Sequence, residues 1–399
     1  MDSPKLPRGN RKASLPEMTR SERRKSLATI IAMVSIVGAV FGLTLPLLNL
    51  LLERQGVAGS AIGLNTAMGA LGVLCVTPLV PRAIRFAGTR RFILASLATS
   101  ALLLLAIKWT GSYMAWIPLR FLLGGTTAGL FVVSETWINQ LADDRSRGRL
   151  MGTYAACLSA GFAAGPILIQ FLGIDGWRPF LAGAGLFAVA GGVILLTAKG
   201  APEFEDGKAG GILHFFRLVP IAILAGLLYG AVETGAFGLL PPYAVRAGLA
   251  ETSAAALLSA VAAGNILFQY PVGWLADKTS PIGVMVMCAV FGVIGSLSLP
   301  SILGTMAAWP VLLVWGGTIT GLYTISLMIL GQRFRGGELA SANAALITAY
   351  GFGAFAAPVF IGGAMDLYDP HGFAVAIAAI FGVFLVSCMV SRRARSDAA

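Results

Sequence analysis

The chain has 399 residues, of which 57% are hydrophobic and only 12% are charged, and its mean hydropathy is +0.81. Soluble domains are about 25% charged, so the composition excludes a soluble globular protein. It predicts an integral membrane protein, and the net charge of +11 is informative mainly through its placement.

The chain begins with a basic arm, residues 1–26, that is rich in Pro and Ser. This composition predicts a disordered segment beside a membrane surface. Twelve apolar runs follow, each of a length suited to a membrane-crossing helix, whereas β-barrel strands would show short alternating segments. We number these runs spans 1 to 12, and they cover residues 27–52, 61–81, 92–108, 114–137, 150–173, 178–198, 218–240, 252–274, 282–300, 306–330, 340–364 and 373–390.

The basic residues are distributed unevenly between the two sides that these spans define. Of the 29 Lys and Arg residues, 24 lie on the side of both termini, 4 lie on the other side, and Arg120 lies inside span 4. Positively charged loops remain in the cytoplasm. We therefore predict a multi-pass protein of the cell inner (cytoplasmic) membrane, with both termini cytoplasmic and membrane lipids around its spans.

A duplication divides the chain into two sets of six spans. Gly353 and Pro358 of span 11 lie 192 residues after Gly161 and Pro166 of span 5, and the loops after spans 2 and 8 show the same offset. Residues 199–217 form the longest polar connection after the arm. We predict an N-terminal six-helix bundle (27–198), a cytoplasmic linker (199–217), a C-terminal six-helix bundle (218–390) and a cytoplasmic tail (391–399). Repeated bundles are typical of carriers.

Several motifs resemble those of the major facilitator superfamily, over about residues 27–390. The segment Gly273–Lys278 (GWLADK) matches the core of the family's loop motif, while the first-half copy has Arg85 in place of the aspartate. Arg120 followed by two glycines is similar to the fourth-helix arginine motif. Gly152, Gly161, Gly165 and Pro166 are similar to the fifth-helix motif typical of antiporters, although Ile169-Gln170 replaces the usual Gly pair. The segment SETWIN, before RGR, is similar to the same segment of the poorly characterised YcaD-like branch.

The resemblance implies an all-α protein with twelve transmembrane helices in two pseudo-symmetric six-helix bundles, the major facilitator fold. It also implies that spans 1, 4, 7 and 10 line a central cavity. Gly161, Gly165 and Pro166, together with Gly353 and Pro358, would then allow spans 5 and 11 to bend and pack closely, with span 5 against span 8. The alternative is that Gly and Pro are simply common in membrane helices.

Only two of the 18 acidic residues, Glu135 and Glu233, fall inside spans. An ionisable group in hydrocarbon is a functional candidate by default. The helical rise puts Glu233 about 22 Å into span 7 from the cytoplasm and Arg120 about 9 Å into span 4 from the other side. The resemblance therefore allows these two residues to face each other. We predict that Glu233 is the proton site and that Arg120 is its partner or an anchor for substrate anions; the alternatives are a fixed ion pair, or an arginine that helix carbonyls satisfy.

A second set of charges is predicted to close the cytoplasmic side in one conformation. Glu135 at the cytoplasmic end of span 4 would meet Arg82, Arg85 or Arg90. Asp277, next to Lys278, would act where span 8 meets the start of span 11. A static surface pair is the alternative. Polar groups within spans could instead contact the substrate or form interhelical hydrogen bonds; they are Asn65, Tyr229, Asn265, Gln269 and Tyr323.

The sequence contains no Walker loop, no HExxH and no cysteine pair with metal-ligand spacing, so we expect no metal, no cofactor, no enzyme activity and no nucleic acid partner. We predict a monomeric secondary transporter that moves a small organic solute by alternating access, coupled to protons, with efflux favoured by the fifth-helix motif. Proton-coupled uptake of a vitamin or other small metabolite is one alternative. A non-transporting receptor or scaffold on a carrier fold is the other.

Overall fold

The computed structural model describes residues 20–141, 147–197 and 212–396. These residues include twelve helices that are long and apolar enough to cross a membrane, and each falls on one of the predicted spans. Span 2 continues through a 3₁₀ turn, Thr77–Leu79, into the helix Val80–Ala87. In order, spans 1 to 12 are the helices Arg20–Arg54, Gly59–Val76, Thr89–Thr110, Tyr113–Leu141, Arg147–Leu172, Arg178–Thr197, Pro220–Arg246, Glu251–Lys278, Pro281–Ile302, Ala308–Arg333, Gly336–Leu367 and Gly372–Ser396.

Several predicted boundaries are corrected by these helices. Residues 20–26 of the predicted arm already belong to span 1, and residues 212–217 of the predicted linker lie in the short helix Ile212–Leu218. Span 12 runs past residue 390 to Ser396. Span 7 ends at Arg246 rather than at residue 240 and contains Pro241 and Pro242. The rest of the arm (1–19), most of the linker (198–211) and residues 397–399 lie outside the described residues.

The two halves repeat the same close helix contacts. A Cβ atom at Gly161 of span 5 would overlap the carbonyl oxygen of Ser35 in span 1, and one at Gly353 of span 11 would overlap that of Leu227 in span 7. Both members of the second pair lie 192 residues after their counterparts. Small residues permit such backbone contact between membrane helices. The glycines of span 5 therefore pack on span 1, while span 5 also packs against span 8, as predicted.

The same repetition joins spans 2 and 4 to spans 8 and 10. A Cβ at Gly72 would overlap the carbonyl oxygen of Phe121, and one at Gly264 would overlap that of Leu313, again 192 residues later in both members. A duplicated packing scheme at this level of detail supports the division of the chain into two six-helix bundles.

The halves meet along spans 2 and 11, 5 and 8, and 1 and 7. The contact between spans 2 and 11 is closest where Gly59 lies against Gly362 and Gly63 lies against Pro358. We call the nearby end of the molecule, which carries Arg246, the Arg246 end. The opposite end, which we call the Asp277 end, also holds the first and last described residues because the number of spans is even.

Candidate functional site

Glu233 lies midway along span 7, and tyrosine hydroxyls hold both of its carboxylate oxygens. Tyr229, one turn earlier on the same helix, donates a hydrogen bond to Oε1 at 2.6 Å. Tyr350 of span 11 donates to Oε2 at 2.8 Å. Hydrogen bonds to an ionised acceptor are stronger than those between neutral groups. Two neutral donors therefore stabilise a carboxylate in the membrane-embedded part of the chain, and they tie span 7 to span 11.

A third tyrosine, Tyr323 of span 10, completes a group that we call the tyrosine cluster: Tyr229, Tyr323 and Tyr350. The rings of Tyr229 and Tyr323 are stacked with centroids 4.8 Å apart, and Tyr350 lies 5.6 Å from Tyr229 and 6.5 Å from Tyr323. All three rings and Glu233 are only partly buried. Three aromatic rings from three helices thus surround a single carboxylate.

The opposite half contributes a second carboxylate near this cluster. Glu135 of span 4 is solvent-exposed, yet it lies within electrostatic range of Tyr323 in the other half. Glu233 and the three tyrosines are partly exposed and Glu135 is exposed, on helices of the two halves. We call the region between the halves that these side chains border the central space.

The first half presents phenylalanine rings where the second half presents the cluster. Phe41 lies 5.4 Å from Phe131 and 5.9 Å from Phe162, measured between ring centroids. Glu233 lies 192 residues after Phe41, and Tyr323 lies 192 residues after Phe131. Equivalent positions of the two bundles therefore form an apolar aromatic wall in one half and a polar aromatic wall in the other.

Arg120 does not pair with Glu233, and that part of the prediction is wrong. Its Nε donates to Oδ1 of Asn65 at 2.8 Å, and its Nη2 donates to Oδ1 of Asn49. Arg120 is 5% exposed, while both asparagines are fully buried. Because span 7 runs to Arg246, Glu233 lies about 20 Å from the Arg246 end and Arg120 only about 10 Å from it. Two neutral amides thus satisfy the cation.

Asn49 also links the halves through a carbonyl that a proline leaves free. Pro242 of span 7 has no N–H to bond to the carbonyl of Gly238 four residues earlier. The amide Nδ2 of Asn49 in span 1 donates to that carbonyl at 2.7 Å and to Oγ1 of Thr66 at 2.9 Å. Neighbouring side chains commonly satisfy backbone groups that prolines free in membrane helices. Arg120 is thereby connected to the second half, while Nδ2 of Asn65 is buried without a partner.

Charged groups close the Arg246 end. Nε of Arg246 contacts Oε1 of Glu53 in the first half at 2.8 Å, and its Nη1 lies 3.1 Å from Asp369 and 3.6 Å from Asp366. The side chains of Arg246 and Glu53 are only 14% and 12% exposed. Sequence reasoning did not select these residues, although acids and arginines at the ends of consecutive spans were a usable signal.

Two further contacts cross between the halves at the same end. The carboxylate of Asp366 in span 11 accepts from the backbone N–H groups of Gly59 and Ser60, at 2.6 and 2.8 Å, where the dipole of span 2 favours an anion. Arg54 forms ion pairs with Glu251 across the halves and with Asp175 in its own half. Span 2 is therefore held against span 11 by both backbone contact and charge.

Three of the residues predicted to close the opposite end, Arg90, Asp277 and Lys278, show no hydrogen bond or ion pair to the other half in the part of the chain that the structure describes. Nη2 of Arg90 donates to the carbonyl of Leu195 in its own half at 2.8 Å, and Lys278 lies over the ring of Trp274 at 4.3 Å. Within the described ranges, no ion pair or hydrogen bond involves the carboxylate of Asp277. Span 8 packs mainly on spans 10 and 5, not on the start of span 11 as predicted.

The remaining predicted residues are dispersed. Arg85 lies on the helix Val80–Ala87 rather than in a loop, Gln269 is exposed, and Oδ1 of Asn265 is buried without a hydrogen-bond partner. Asn49 and Tyr350 belong to the site but were missed. A polar amide within an apolar span was the available signal for Asn49, and an amphipathic ring in the span paired with span 7 was the signal for Tyr350.

Comparisons with known proteins agree with this architecture. A family model described as Major Facilitator Superfamily matches residues 27–358. The uncharacterized MFS-type transporter YfkF of Bacillus subtilis (strain 168) is 27% identical over 66% of this chain and 69% of its own length. The uncharacterized MFS-type transporter YcaD of Escherichia fergusonii is 25% identical over 71% of this chain and 73% of its own.

Solved structures show the same fold at low sequence identity. A bacterial homolog of the human lysosomal transporter Spinster, in an inward-facing and unoccupied conformation, has a TM-score of 0.76 and 14% identity, and the match covers 93% of this chain and 96% of that one. The nucleoside transporter NupG has a TM-score of 0.75 and 12% identity, with coverage of 92% and 98%.

Proposed function

The chain belongs to the Major Facilitator Superfamily, and from that premise we propose that it is a proton-coupled secondary transporter that exports a small organic solute by alternating access. Glu233 is the proton site, and the central space is the binding site for the solute. The observation that carries the proposal is a carboxylate in the middle of a membrane span whose two hydrogen-bond donors are both neutral tyrosines.

Protonation of Glu233 would change the tie between spans 7 and 11. An ionised carboxylate accepts from both tyrosines, whereas a protonated one carries its own O–H donor and has less acceptor capacity. Tyr229 or Tyr350 then loses part of its hydrogen bond. The bound proton is thereby coupled to the packing of span 11, which also forms the contact with span 2 at the Arg246 end.

The unequal ends of the molecule support alternating access as the mechanism. The Arg246 end is held closed by Arg246–Glu53, Arg54–Glu251 and Asp366, so opening it requires those contacts to break. At the Asp277 end, Asp277 and Lys278 would pair with the first half only in the opposite conformation. Two bundles that rock about a central site supply such an exchange.

We place the Asp277 end in the cytoplasm of an inner-membrane protein that acts as a monomer. The support is the excess of Lys and Arg in the loops on that side. Efflux agrees with the fifth-helix motif, and uptake would use the same parts in the reverse direction.

The test is solute-driven proton movement in proteoliposomes that contain an internal pH dye. A thermal-stability screen of drugs, vitamins and metabolites on the purified protein first identifies a solute that stabilises it. We expect that solute to change the internal pH, and we expect Glu233→Gln to abolish the change while Glu338→Gln, an exposed acid of span 11, retains it. Unchanged proton flux in Glu233→Gln would refute the assignment. A protein that no solute stabilises would favour a receptor or scaffold.

A further inference from the structure

The chemistry of the central space restricts the solutes that fit it. Among the described residues, the hydrogen-bond partners of Glu233 are two neutral phenols, and Glu135 of the other half lies close enough to act on Tyr323. The intramembrane arginine, Arg120, is buried against Asn49 and Asn65 and is oriented away from Glu233. The described walls of the space are thus acidic and aromatic.

We propose that the central space selects organic cations with an aromatic or apolar body, bound between Glu233, the tyrosine cluster and the facing phenylalanines. The proposal rests on the transport function above and names its substrate class. A solute of this class replaces the proton as the partner of Glu233.

Aromatic rings attract cations that lie within about 6 Å of a ring face, most strongly where water is excluded. The cluster presents three rings within 6.5 Å of one another beside a carboxylate. In the first half, Phe41 and Phe131 lie at the positions equivalent to Glu233 and Tyr323, and Phe162 packs on Phe41. A charged centre placed at Glu233 would therefore leave its apolar substituents on the phenylalanine wall.

Charge decides against the other solute classes. An anion would be repelled by carboxylates, and a neutral solute could not replace the proton as the partner of Glu233. A carboxylate in an apolar environment is stabilised by either a proton or a cation, but a single site favours one at a time. The titratable groups around it are Tyr229 on its own helix and Tyr350 and Tyr323 on spans 11 and 10, and Glu135 on span 4 acts on Tyr323. Mutual exclusion at this carboxylate is the physical basis of exchange between proton and solute.

Two ions of matched shape and opposite charge test the proposal. Tetraphenylphosphonium and tetraphenylborate share size and aromatic surface, so their difference reports charge selection alone. We expect saturable binding of radiolabelled tetraphenylphosphonium to the purified full-length protein, displacement by protons, and no displacement by tetraphenylborate. Equal competition by the two ions would overturn the proposal.

Variants assign the binding to named groups. We expect Glu233→Gln to weaken tetraphenylphosphonium binding at least tenfold, and the exposed control Glu338→Gln to leave it unchanged. Tyr323→Phe keeps an aromatic face and should keep the affinity, whereas Tyr323→Leu should reduce it. Binding that survives Glu233→Gln, or that Tyr323→Leu and Tyr323→Phe affect alike, would contradict the proposed site.

The outcomes also separate this proposal from the transport function. If tetraphenylphosphonium does not bind, but Glu233→Gln abolishes the proton movement driven by whichever solute the stability screen identifies, the substrate class is wrong and proton coupling stands. If Glu233→Gln leaves that movement intact, the proposed function fails whatever the ion binds.

Discussion

The two ends of the molecule use their charged residues in opposite ways. At the Arg246 end, Arg246, Arg54 and Asp366 each contact the other half of the chain. At the Asp277 end, Arg90 bonds within its own half, Arg335 bonds to the carbonyl of Gly331 one turn away, and Lys278 covers Trp274. The named charges therefore distinguish the two ends: those at the Arg246 end contact the other half, and Arg90, Arg335 and Lys278 at the Asp277 end contact their own half.

The ion pairs at the Arg246 end differ in how far they are buried. Arg246 and Glu53 are mostly withdrawn from solvent, while Arg54 is 41% exposed and its partner Asp175 is 80% exposed. Losing one partner of a buried pair is far more costly than losing an exposed one. The contributions to closure should therefore differ widely among contacts that look alike by distance.

The largest effect on the closure of the Arg246 end is expected for Arg246→Gln. Oε2 of Glu53 is already buried without a partner, so the variant leaves a whole carboxylate uncompensated, at about 3–5 kcal/mol for a buried pair. Thr66 is 2% exposed where the two halves meet. We expect a cysteine at this position to react with an impermeant maleimide at least about a hundred times faster in Arg246→Gln than in the protein that keeps Arg246. The measurement requires a background without the four native cysteines.

The double variant Arg246→Gln with Glu53→Gln is the matched control, because it removes the stranded carboxylate together with its partner. It should restore much of the protection at Thr66. Equal labelling rates in the single and double variants would show that this ion pair does not hold the end closed.

A smaller effect is expected for Gly362→Ala at the contact of spans 2 and 11. A Cβ at Gly362 would overlap the carbonyl oxygen of Gly59, whereas one at the adjacent Gly363 would meet nothing within 4 Å. Overpacking of this kind costs about 1–3 kcal/mol. Thermal unfolding in detergent should show a lower melting temperature for Gly362→Ala and an unchanged one for Gly363→Ala. A similar decrease of the melting temperature in both variants would mean that helix propensity, and not the contact between spans 2 and 11, is responsible.

A weaker effect still is expected for Arg54→Gln. Exposed ion pairs contribute up to about 1 kcal/mol and are screened by salt, and Arg54 and Asp175 are both exposed. The labelling rate at Thr66 should rise less than about tenfold, and the rise should shrink at high ionic strength. A response as large and as salt-independent as that of Arg246→Gln would remove the distinction by burial.

The smallest effect on closure is expected for Asp277→Asn. Because this carboxylate contacts no partner within the described parts of the chain, the variant should leave both the labelling rate at Thr66 and the melting temperature unchanged. Turnover of the screened solute should nevertheless fall, since Asp277 would act in the conformation with the opposite end closed. Normal turnover would reduce the residue to a structural role.

The spans and the duplication could be predicted from the sequence, but the contacts of the charged residues inside the membrane could not. Hydropathy determines which residues lie in the bilayer, and a constant offset identifies the repeat. The partners of Arg120 depend on the rotation of spans 1, 2 and 4 about their axes, which span depth does not specify. The two prolines of span 7 look like a helix end in sequence, yet Asn49 satisfies the freed carbonyl and the helix continues.

The glycines also show that the sequence does not specify which helices contact each other. Their spacing in spans 5 and 11 correctly indicated close helix packing, but the partner helix could not be deduced because spans 1 and 8 both lie beside span 5. Tyr350 was missed for a related reason, since its distance of 117 residues from Glu233 in the chain hides a hydrogen bond that only the packing of span 11 on span 7 creates.

In alternating access, closure of one end of the molecule accompanies opening of the other. Electron–electron double resonance tests it with spin labels at exposed positions of the two halves: Met114 and Met306 report the Arg246 end, and Phe86 and Thr279 report the Asp277 end. In Arg246→Gln, we predict that the first distance lengthens while the second shortens in the same fraction of molecules. Lengthening of the first distance with no change in the second would contradict alternating access.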